Sequence, residues 1–277
     1  KELKQFPLNM KISLKFGVYL IENLQTPIPI MCDRAILAVE SAKGHYEKSC
    51  AYYDDSIRQR LLREQQIIDE MKSSLEKNRF EVFLQPKYDL SNEKIVGAES
   101  LVRWTHPKLG ALTPGEFIPL FEHTGFITEL DKYVWNRTCE ILENWNQNGL
   151  PHIQVSVNVS RKDIYQENLP EIIWNIVKKH GLQPSQLHLE ITETAYTENA
   201  EQLISVVNEL KKIGFLIEMD DFGTGYSSLN MLSELPIDIL KLDMRFMNSI
   251  KKGALQKNKH NILEFIIKLA KWINLQV

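Results

Sequence analysis

The sequence has few cysteines and lacks any long apolar run. Its three cysteines, Cys32, Cys50 and Cys139, are far apart and form no Cys-x-x-Cys pair, so neither a disulfide framework nor a thiolate metal site is expected. No apolar stretch approaches the ~20 residues that a membrane-spanning helix needs. The first ten residues also lack the charged-then-apolar layout of a signal peptide. These absences predict a protein of the reducing cytoplasm with no membrane segment.

The sequence also lacks an excess of charge of either sign. Its 33 Lys and Arg residues nearly balance its 36 Asp and Glu residues, for a net charge of -3. A broad basic surface for a nucleic acid polymer is therefore not expected. The content of 43% hydrophobic and 25% charged residues is ordinary for a globular protein. A chain of 277 residues is long enough for one large or two modest domains.

The first 79 residues differ in pattern from the rest of the chain. β-Branched and aromatic residues predict a strand over 10–21, and an apolar stripe of Ala and Val predicts a helix over 27–44. After an aromatic stretch at 49–53, residues 56–78 are charged and carry a narrow apolar stripe at helical spacing. This last helix is most simply a connector, and a coiled-coil dimer stem is the alternative.

From residue 80 onward, short apolar segments alternate with amphipathic segments that have helical spacing. The predicted strands cover residues 80–85, 96–104, 153–159, 187–192, 215–221 and 237–243. The predicted helices cover residues 128–149, 168–181, 203–213 and 262–273. Alternating strands and helices of this kind indicate an α/β fold with a largely parallel sheet.

Polar residues lie at the ends of five of these predicted strands, where they are costly to bury without partners. They are Glu99, Asn158, Glu190, Asp220, Asp221 and Lys241. In a parallel barrel the carboxyl ends of all strands open on one face, where active sites are built. A single buried carboxylate is more often a satisfied salt bridge than a ligand, but five strands that end this way predict a shared site.

The residue types at this site indicate its chemistry. Carboxylates and one amide, without His or Cys, suit Mg²⁺, Mn²⁺ or Ca²⁺ rather than zinc. Adjacent Asp220 and Asp221 would point in opposite directions on an extended strand, so one of them must lie at a strand end or a bend, where the pair could serve two cations. Two-cation sites favour phosphoryl displacement. Lys241 either holds the attacking water, neutralises the transition state or only balances charge, and the pattern leaves these roles open.

Seven segments, taken in order, resemble the EAL domain, the cyclic di-GMP-specific phosphodiesterase family. The matching segments are FLQP (83–86), AESLVRW (98–104), PGEFIPLFEHTG (114–125), VNVS (157–160), EITE (190–193), DDFGTGYSSL (220–229) and KLD (241–243). The resemblance implies a TIM-like (β/α) barrel with an antiparallel first strand. It also implies hydrolysis of cyclic di-GMP to linear pGpG with Mg²⁺ or Mn²⁺ at a two-metal site, inhibition by Ca²⁺, and a homodimer formed through the 222–228 loop region.

The resemblance also implies roles for individual residues. The metal ligands would be Glu99, Asn158, Glu190, Asp220 and Asp221, and the catalytic residues would be Lys241, Glu99 and Asp221. The residues that contact the dinucleotide would be Gln85, Leu101, Arg103 and Asp243. Glu193 and Thr224 would support the loop that follows the Asp pair.

The chain departs from the family pattern in two places. Ser100 replaces an alanine, and because this position is not a ligand we expect a small effect. The family pattern continues beyond a segment like KLAKWINLQV with another metal-site glutamate and a guanine-binding glutamine, whereas this chain stops at Val277. We therefore expect the barrel in this chain to be incomplete at its C-terminus, with an exposed strand edge.

Residues 1–55 are similar to the final third of a GGDEF (diguanylate cyclase) domain, an α+β segment, on the stretches ISLKFGVYLI, CDRAILAV and CAYYDDSIRQR. The expected organisation is thus a partial GGDEF-like segment over 1–55, a linker helix over 56–79 and an EAL-type barrel over 80–277. The leading functional hypothesis is a cyclic di-GMP phosphodiesterase. The alternative is a catalytically inactive EAL-type receptor of cyclic di-GMP or a protein-interaction module.

Overall fold

The computed structural model describes residues 14–42, 49–150, 153–222, 229–243 and 256–277. The chain divides into two units, Lys1–Glu70 and Met71–Val277. No helix in these described ranges is both long enough and apolar enough to cross a bilayer.

The first unit contains two short strands and two helices. Its elements are β1 (Phe16–Val18), α1 (Ile28–Ala42), β2 (Cys50–Tyr52) and α2 (Asp55–Glu76), the last of which continues into the second unit. β1 and β2 pair in parallel. Helix α1 packs closely on β1 at Gly17. The approach is so close that a Cβ atom at Gly17 would lie 2.0 Å from the carbonyl oxygen of Ala35. Both predicted helices are confirmed, whereas the predicted strand over 10–21 is ordered as a strand only at 16–18, and residues 10–13 lie outside the described ranges.

The second unit is an α/β structure, as the alternating pattern predicts. Its strands are β3 (Phe80–Tyr88), β4 (Ile95–His106), β5 (Gly110–Leu112), β6 (Gln154–Asn158), β7 (Leu187–Thr192), β8 (Ile217–Phe222) and β9 (Ile239–Leu242). Its helices are α3 (Pro114–Thr124), α4 (Ile127–Gln147), α5 (Arg161–Ile164), α6 (Leu169–Lys179), α7 (Glu193–Glu198), α8 (Ala200–Ile213), α9 (Leu229–Glu234) and α10 (Gln256–Trp272). All six predicted strands are confirmed, whereas β5 and the helices α3, α5, α7 and α9 were not predicted from periodicity.

The strands form one sheet in the order β3-β4-β6-β7-β8-β9, with β5 added to β4. β3 pairs with β4 in antiparallel fashion, and β4, β6, β7, β8 and β9 run parallel to one another. The family resemblance implies this antiparallel first strand, and the structure has it. Beyond β9, Gln276 forms a parallel bridge with Ile239. In the described part of the chain no pairing joins the two ends of the sheet, so closure into a barrel is not shown.

Two-residue alternation gives the sheet an apolar face and a polar face. The apolar side chains of β6, β7 and β8 pack against α4, α6 and α8 in the main core, and their neighbours along each strand point the other way. The apolar members include Val155, Val157, Leu187, Leu189, Ile217 and Met219, all fully buried. Burial of such side chains contributes about 1.5–3 kcal/mol each, which fixes the register of the strands. We call the opposite face of the sheet the site face.

The sheet is strongly curved around its site face. Lys241 on β9 contacts Glu99 on β4 at 2.9 Å, although three other strands lie between β4 and β9 in the sheet order. Neighbouring strands are ~4.8 Å apart, so these two strands would be ~19 Å apart in a flat sheet. The contact is possible only because the sheet bends around the polar side chains.

Candidate active site

Three adjacent strands each place two polar residues on the site face, two positions apart. These pairs are Ser156 and Asn158 on β6, His188 and Glu190 on β7, and Glu218 and Asp220 on β8. The strand register places Asn158 beside Glu190 and Glu190 beside Glu218. The site face therefore has an upper level near the strand ends and a lower level beneath it.

The upper level brings together four of the predicted site residues. Glu99, Glu190 and Asp220 each offer a carboxylate oxygen, and these three oxygens lie within 4.8 Å of one another. The Lys241 ammonium nitrogen contacts all three residues, at 2.9 Å from Glu99 Oε2, 2.7 Å from Glu190 Oε2 and 3.2 Å from Asp220 Oδ2. We call these four residues the carboxylate cluster. The predicted convergence is confirmed for them.

Glu99 occupies a different place on its strand from the one predicted. β4 continues to His106, so Glu99 lies within the strand and not at its end. The parallel pairing of β4 with β6 does end at Glu99, opposite Ser156. The later part of β4 pairs with β5 and β3 in antiparallel fashion, and this added pairing is the reason that the strand extends beyond the site.

Opposing effects set the protonation of the carboxylate cluster. Burial raises the pKa of Glu190, and the nearby Glu99 carboxylate adds to the rise, while the ammonium groups of Lys241 and Lys87 oppose it. Burial alone would lower the pKa of Lys241, but the carboxylates of Glu190, Asp220 and Glu99 outweigh it and raise that pKa above 10.5. Lys241 is therefore a protonated hydrogen-bond donor in this cluster.

The Asp220–Asp221 pair contains the bend that its sequence predicts. Asp221 has a φ of +57°, in the left-handed region that Asp tolerates better than most residues. The β8–β9 register shifts between Met219 and Phe222, and the Asp221 N–H donates to Asp220 Oδ1 at 2.8 Å. Asp220 points into the cluster, whereas Asp221 is exposed and is not one of its three carboxylates. Asp221 as a ligand and catalytic residue stays a prediction.

Asn158 is the last residue of β6 and lies beside Glu190 in the register. Its backbone carbonyl accepts a hydrogen bond from the buried Trp135 Nε1 at 2.9 Å. This contact holds the end of β6 against α4. The position is suitable for a ligand of a second cation, and that role stays a prediction.

The predicted substrate-binding residues on β3 and β4 lie on the site face. Gln85 pairs with Glu99, and Leu101 and Arg103 follow Glu99 at two-residue spacing. Arg103 donates to the Val102 carbonyl at 2.9 Å, and its guanidinium carbon is 5.8 Å from the centre of the Phe83 ring. These three side chains therefore extend the site away from the cluster along the hairpin.

Ser100, the departure from the family pattern, points to the opposite face of the sheet. Its hydroxyl is 2.9 Å from the Thr138 hydroxyl of α4, and both groups are buried. The serine thus forms a hydrogen bond in the helix layer and does not enter the carboxylate cluster. This placement agrees with the small effect that we expect from the replacement.

The remaining predicted residues lie around the cluster or outside the described ranges. Glu193 is the buried first residue of α7, and Asp243 directly follows β9. Thr224 and most of the 222–228 loop lie outside the described residues. The roles predicted for these residues stay predictions.

The lower level of the site face was not predicted from the sequence. Lys87 on β3 contacts Ser156 Oγ at 2.7 Å, Glu190 Oε1 at 3.2 Å and Glu218 Oε2 at 2.6 Å. Glu218 Oε1 in turn lies 2.8 Å from His188 Nδ1. We call Lys87, Ser156, His188 and Glu218 the floor group. The signal for three of them was a polar residue two positions before each predicted ligand.

The floor group keeps Glu218 charged. Burial would raise the pKa of this carboxyl, but hydrogen bonds from His188 and Lys87 together with their charges outweigh it and lower the pKa from 4.5 to about 2. Glu218, which is buried, and Lys87 therefore form an ion pair beside Glu190.

The residues of the carboxylate cluster fit a hard divalent cation. All of the donor atoms are oxygens, as Mg²⁺ and Mn²⁺ prefer. The position of the Lys241 ammonium among three acids shows that a positive charge is accommodated there. Together, the fold and the site define an α/β protein with an acidic, oxygen-lined candidate site for a cation on the polar face of a mostly parallel sheet.

The chain belongs to the EAL domain family, whose sequence model matches residues 68–277. It is 31% identical over 269 residues, 97% of its length, to the bifunctional diguanylate cyclase/cyclic di-GMP phosphodiesterase MucR of Pseudomonas aeruginosa. It is 32% identical over 261 residues, 94% of its length, to the cyclic di-GMP phosphodiesterase NbdA of the same organism. The chain spans 39% and 33% of the lengths of these two relatives.

The fold is also similar to that of solved EAL structures. The PaMucR phosphodiesterase in complex with cyclic di-GMP aligns with a TM-score of 0.71 at 33% sequence identity. This alignment covers 76% of the present chain and 84% of the PaMucR chain.

Proposed function

We propose that this chain carries the catalytic site of a cyclic di-GMP phosphodiesterase that hydrolyses its substrate to linear pGpG. The carboxylate cluster is the observation that carries the proposal, because it combines three acids and a lysine in a chain of the EAL domain family. The activities in the names of MucR and NbdA support the assignment of substrate.

In this proposal Glu99, Glu190 and Asp220 hold one divalent cation, and Asn158 and Asp221 complete a two-metal site. Bound Mg²⁺ or Mn²⁺ supplies positive charge that favours attack of water on a phosphodiester. Ca²⁺ has the same preference for oxygen ligands but a larger and more flexible coordination shell. For this reason we expect Ca²⁺ to occupy the site and inhibit hydrolysis.

The protein side chains bind and orient the reactants. The water oxygen bonds to phosphorus, one P–O ester bond breaks, and the released oxygen takes up a proton, which opens the cyclic dinucleotide. The protonated Lys241 ammonium donates hydrogen bonds to the water or to the phosphate oxygens as charge develops on them. Gln85, Leu101, Arg103 and Asp243 are the proposed contacts to the dinucleotide.

The finer architecture is also part of the proposal. The antiparallel β3, the parallel strand order, the curvature of the sheet and the Ile239–Gln276 bridge support a TIM-like barrel. The match to the bifunctional MucR covers 97% of the chain and so includes most of its first 79 residues, which supports a GGDEF-like segment over 1–55 and a linker helix over 56–79. A homodimer through the 222–228 loop region and a cytoplasmic location stay predictions.

Chromatography of cyclic di-GMP incubated with the full-length protein and Mn²⁺ tests the proposed function. We expect conversion to pGpG that stops when EDTA is added and resumes with excess Mn²⁺. Tight binding of cyclic di-GMP without conversion would contradict the enzymatic function and favour the receptor. Neither binding nor conversion would contradict both and favour a protein-interaction role.

A further inference from the structure

Lys87 links the floor group to the carboxylate cluster through its contact with Glu190. It lies on β3 opposite Gly97 of β4, and both positions face the site. Gly97 has no side chain, and a Cβ atom there would lie 3.9 Å from Lys87 Cδ. The Lys87 side chain therefore crosses over β4 at Gly97. Its ammonium group contacts residues on the next three strands, β6, β7 and β8.

The two oxygens of the Glu190 carboxylate are held by different lysines. Lys87 Nζ lies 3.2 Å from Oε1, and Lys241 Nζ lies 2.7 Å from Oε2. The two lysines come from β3 and β9, at opposite ends of the sheet order. Because the Glu190 side chain is fully buried, these contacts fix the rotation of its carboxylate. Oε2 is thereby turned toward Glu99 and Asp220, and Oε1 toward the floor group.

The charge of Lys87 is already balanced within the floor group. Its shortest contact with a carboxylate is 2.6 Å, to Glu218 Oε2, and the other oxygen of Glu218 is bound to His188 Nδ1. Ser156 Oγ accepts a further hydrogen bond at 2.7 Å. Lys87 thus has a fixed position and donates to Glu190 without cancelling the negative charge that a divalent cation needs. Lys241 differs, because all three of its acidic partners belong to the carboxylate cluster.

We propose that Lys87 is a positioning residue for the cation site: it holds Glu190 Oε1 so that Oε2 faces the cation, and Glu218 and His188 hold Lys87 in place. This inference rests on the proposed function, since it concerns the same cation site. Groups that orient metal ligands in this way typically contribute about 10–100-fold to metal affinity. A simpler role, in which Lys87 only compensates the buried charge of Glu218, predicts no such contribution.

The test is the affinity of the full-length protein for Mn²⁺, measured by electron paramagnetic resonance titration of free Mn²⁺. The informative variant is Lys87→Met combined with Glu218→Gln, because this pair of changes leaves the net charge of the site unaltered. We expect its Mn²⁺ affinity to fall by about 10–100-fold. We expect Glu218→Gln alone to lose less affinity than the double variant, because Lys87 is then held by one partner fewer but can still donate to Glu190. The matched control is Lys178→Met with Glu209→Gln, the same two changes on exposed residues of α6 and α8.

A second readout separates positioning from general damage to the fold. If Lys87 acts through cation affinity, saturating Mn²⁺ should restore most of the cyclic di-GMP hydrolysis of the double variant, which a misfolded protein would not show. Should the double variant fail to fold, Lys87→Gln with Glu218→Gln, which keeps a shorter donor at position 87 and the same net charge, is titrated instead and should also lose affinity.

Wild-type Mn²⁺ affinity in the folded double variant would overturn the inference about Lys87. An equal loss in Glu218→Gln and in the double variant would also overturn it, since Glu218 would then be the orienting group. Failure of the proposed function has a different signature, because the wild-type protein itself would then not hydrolyse cyclic di-GMP.

Discussion

Two groups of buried acids in the second unit have different surroundings. On the site face Glu190 and Glu218 each contact a lysine, and the two acids share Lys87. On the helix side of the sheet Asp131 of α4 lies next to Asp163 of α5, and no lysine or arginine pairs with either acid among the described residues. Asp163 instead accepts from the Ser160 N–H at 3.0 Å and from Gln166 Nε2 at 2.9 Å.

The difference shows that burial does not by itself decide the charge of an acid. Burial and the neighbouring Asp163 carboxylate raise the pKa of Asp131 well above 3.8. Glu218 is also buried, yet its neighbours keep it ionised. A site for a divalent cation needs charged ligands, and the two lysines beside Glu190 oppose the rise in its pKa that burial causes.

Removing the lysine of the carboxylate cluster should produce the largest effect. Lys241→Ala deletes the donor that contacts three acids, and we expect the rate of pGpG release to fall by at least about 10²–10³-fold. The rate is measured by chromatography at saturating Mn²⁺. Lys178→Ala, on the exposed face of α6, is the matched control and should keep the wild-type rate. Hydrolysis that persists in Lys241→Ala would remove this lysine from the mechanism.

Metal should stabilise the protein through the acids of the cluster. At a Mn²⁺ concentration of about 100 times the dissociation constant, binding to the folded state adds about 2.7 kcal/mol to the free energy of unfolding. Thermal unfolding followed by circular dichroism with and without Mn²⁺ measures this gain. Glu99→Gln should lose most of the gain while Glu209→Gln keeps it. An equal gain in both variants would mean that Mn²⁺ binds elsewhere.

Asp131, whose pKa is raised by burial, should make the free energy of unfolding depend on pH. A folded-state pKa above the unfolded value means that the contribution of Asp131 is fully present below about pH 4 and is lost as pH rises toward its folded pKa. Asn cannot ionise, so the Asp131→Asn variant does not lose stability in this way. We therefore expect the change in the free energy of unfolding caused by Asp131→Asn to be more favourable at pH 8 than at pH 4, by about 1–3 kcal/mol. Urea unfolding at the two pH values tests the sign. A pH-independent effect would show that Asp131 does not titrate.

The smallest expected effect is the protection of the buried Cys139 thiol from chemical labelling. Burial raises the pKa of Cys139 to about 12, whereas Cys32 and Cys50 are exposed. Native protein at pH 7.5 should therefore react with a thiol reagent at two of its three cysteines, and Cys139 should react only after denaturation. Mass spectrometry of the labelled peptides identifies the sites. Rapid labelling of Cys139 in the native protein would contradict the packing of α4 on the sheet.

Much of the fold could be predicted because the sequence pattern is local. Strand β7 has the predicted bounds, since Leu187, Leu189 and His188 follow a two-residue alternation between turns. Helix α3 was not predicted, because Pro119 and a short apolar pattern obscure its period. The extension of β4 to His106 depends on pairing with β5 and β3, which no local pattern encodes.

The site residues can also be divided into those that a local sequence pattern predicts and those that depend on long-range pairing. The convergence of Glu99, Glu190, Asp220 and Lys241 follows from the rule that parallel strands end on one side, combined with the strand-end pattern. Ser156, His188 and Glu218 could have been found by reading two residues back along each strand. Lys87 could not, because its role depends on the β3–β4 register, on the space at Gly97 and on the curvature of the sheet.

The most direct test of the carboxylate cluster is cyclic di-GMP hydrolysis by Glu190→Gln beside Glu209→Gln. Glu190 is the acid that both lysines contact, and the change to Gln removes its charge while keeping its shape. We expect Glu190→Gln to lose at least about 10²-fold in the rate of pGpG release at moderate Mn²⁺ and Glu209→Gln to keep the wild-type rate. Equal rates in the two variants and the wild type would contradict a cation site at this cluster.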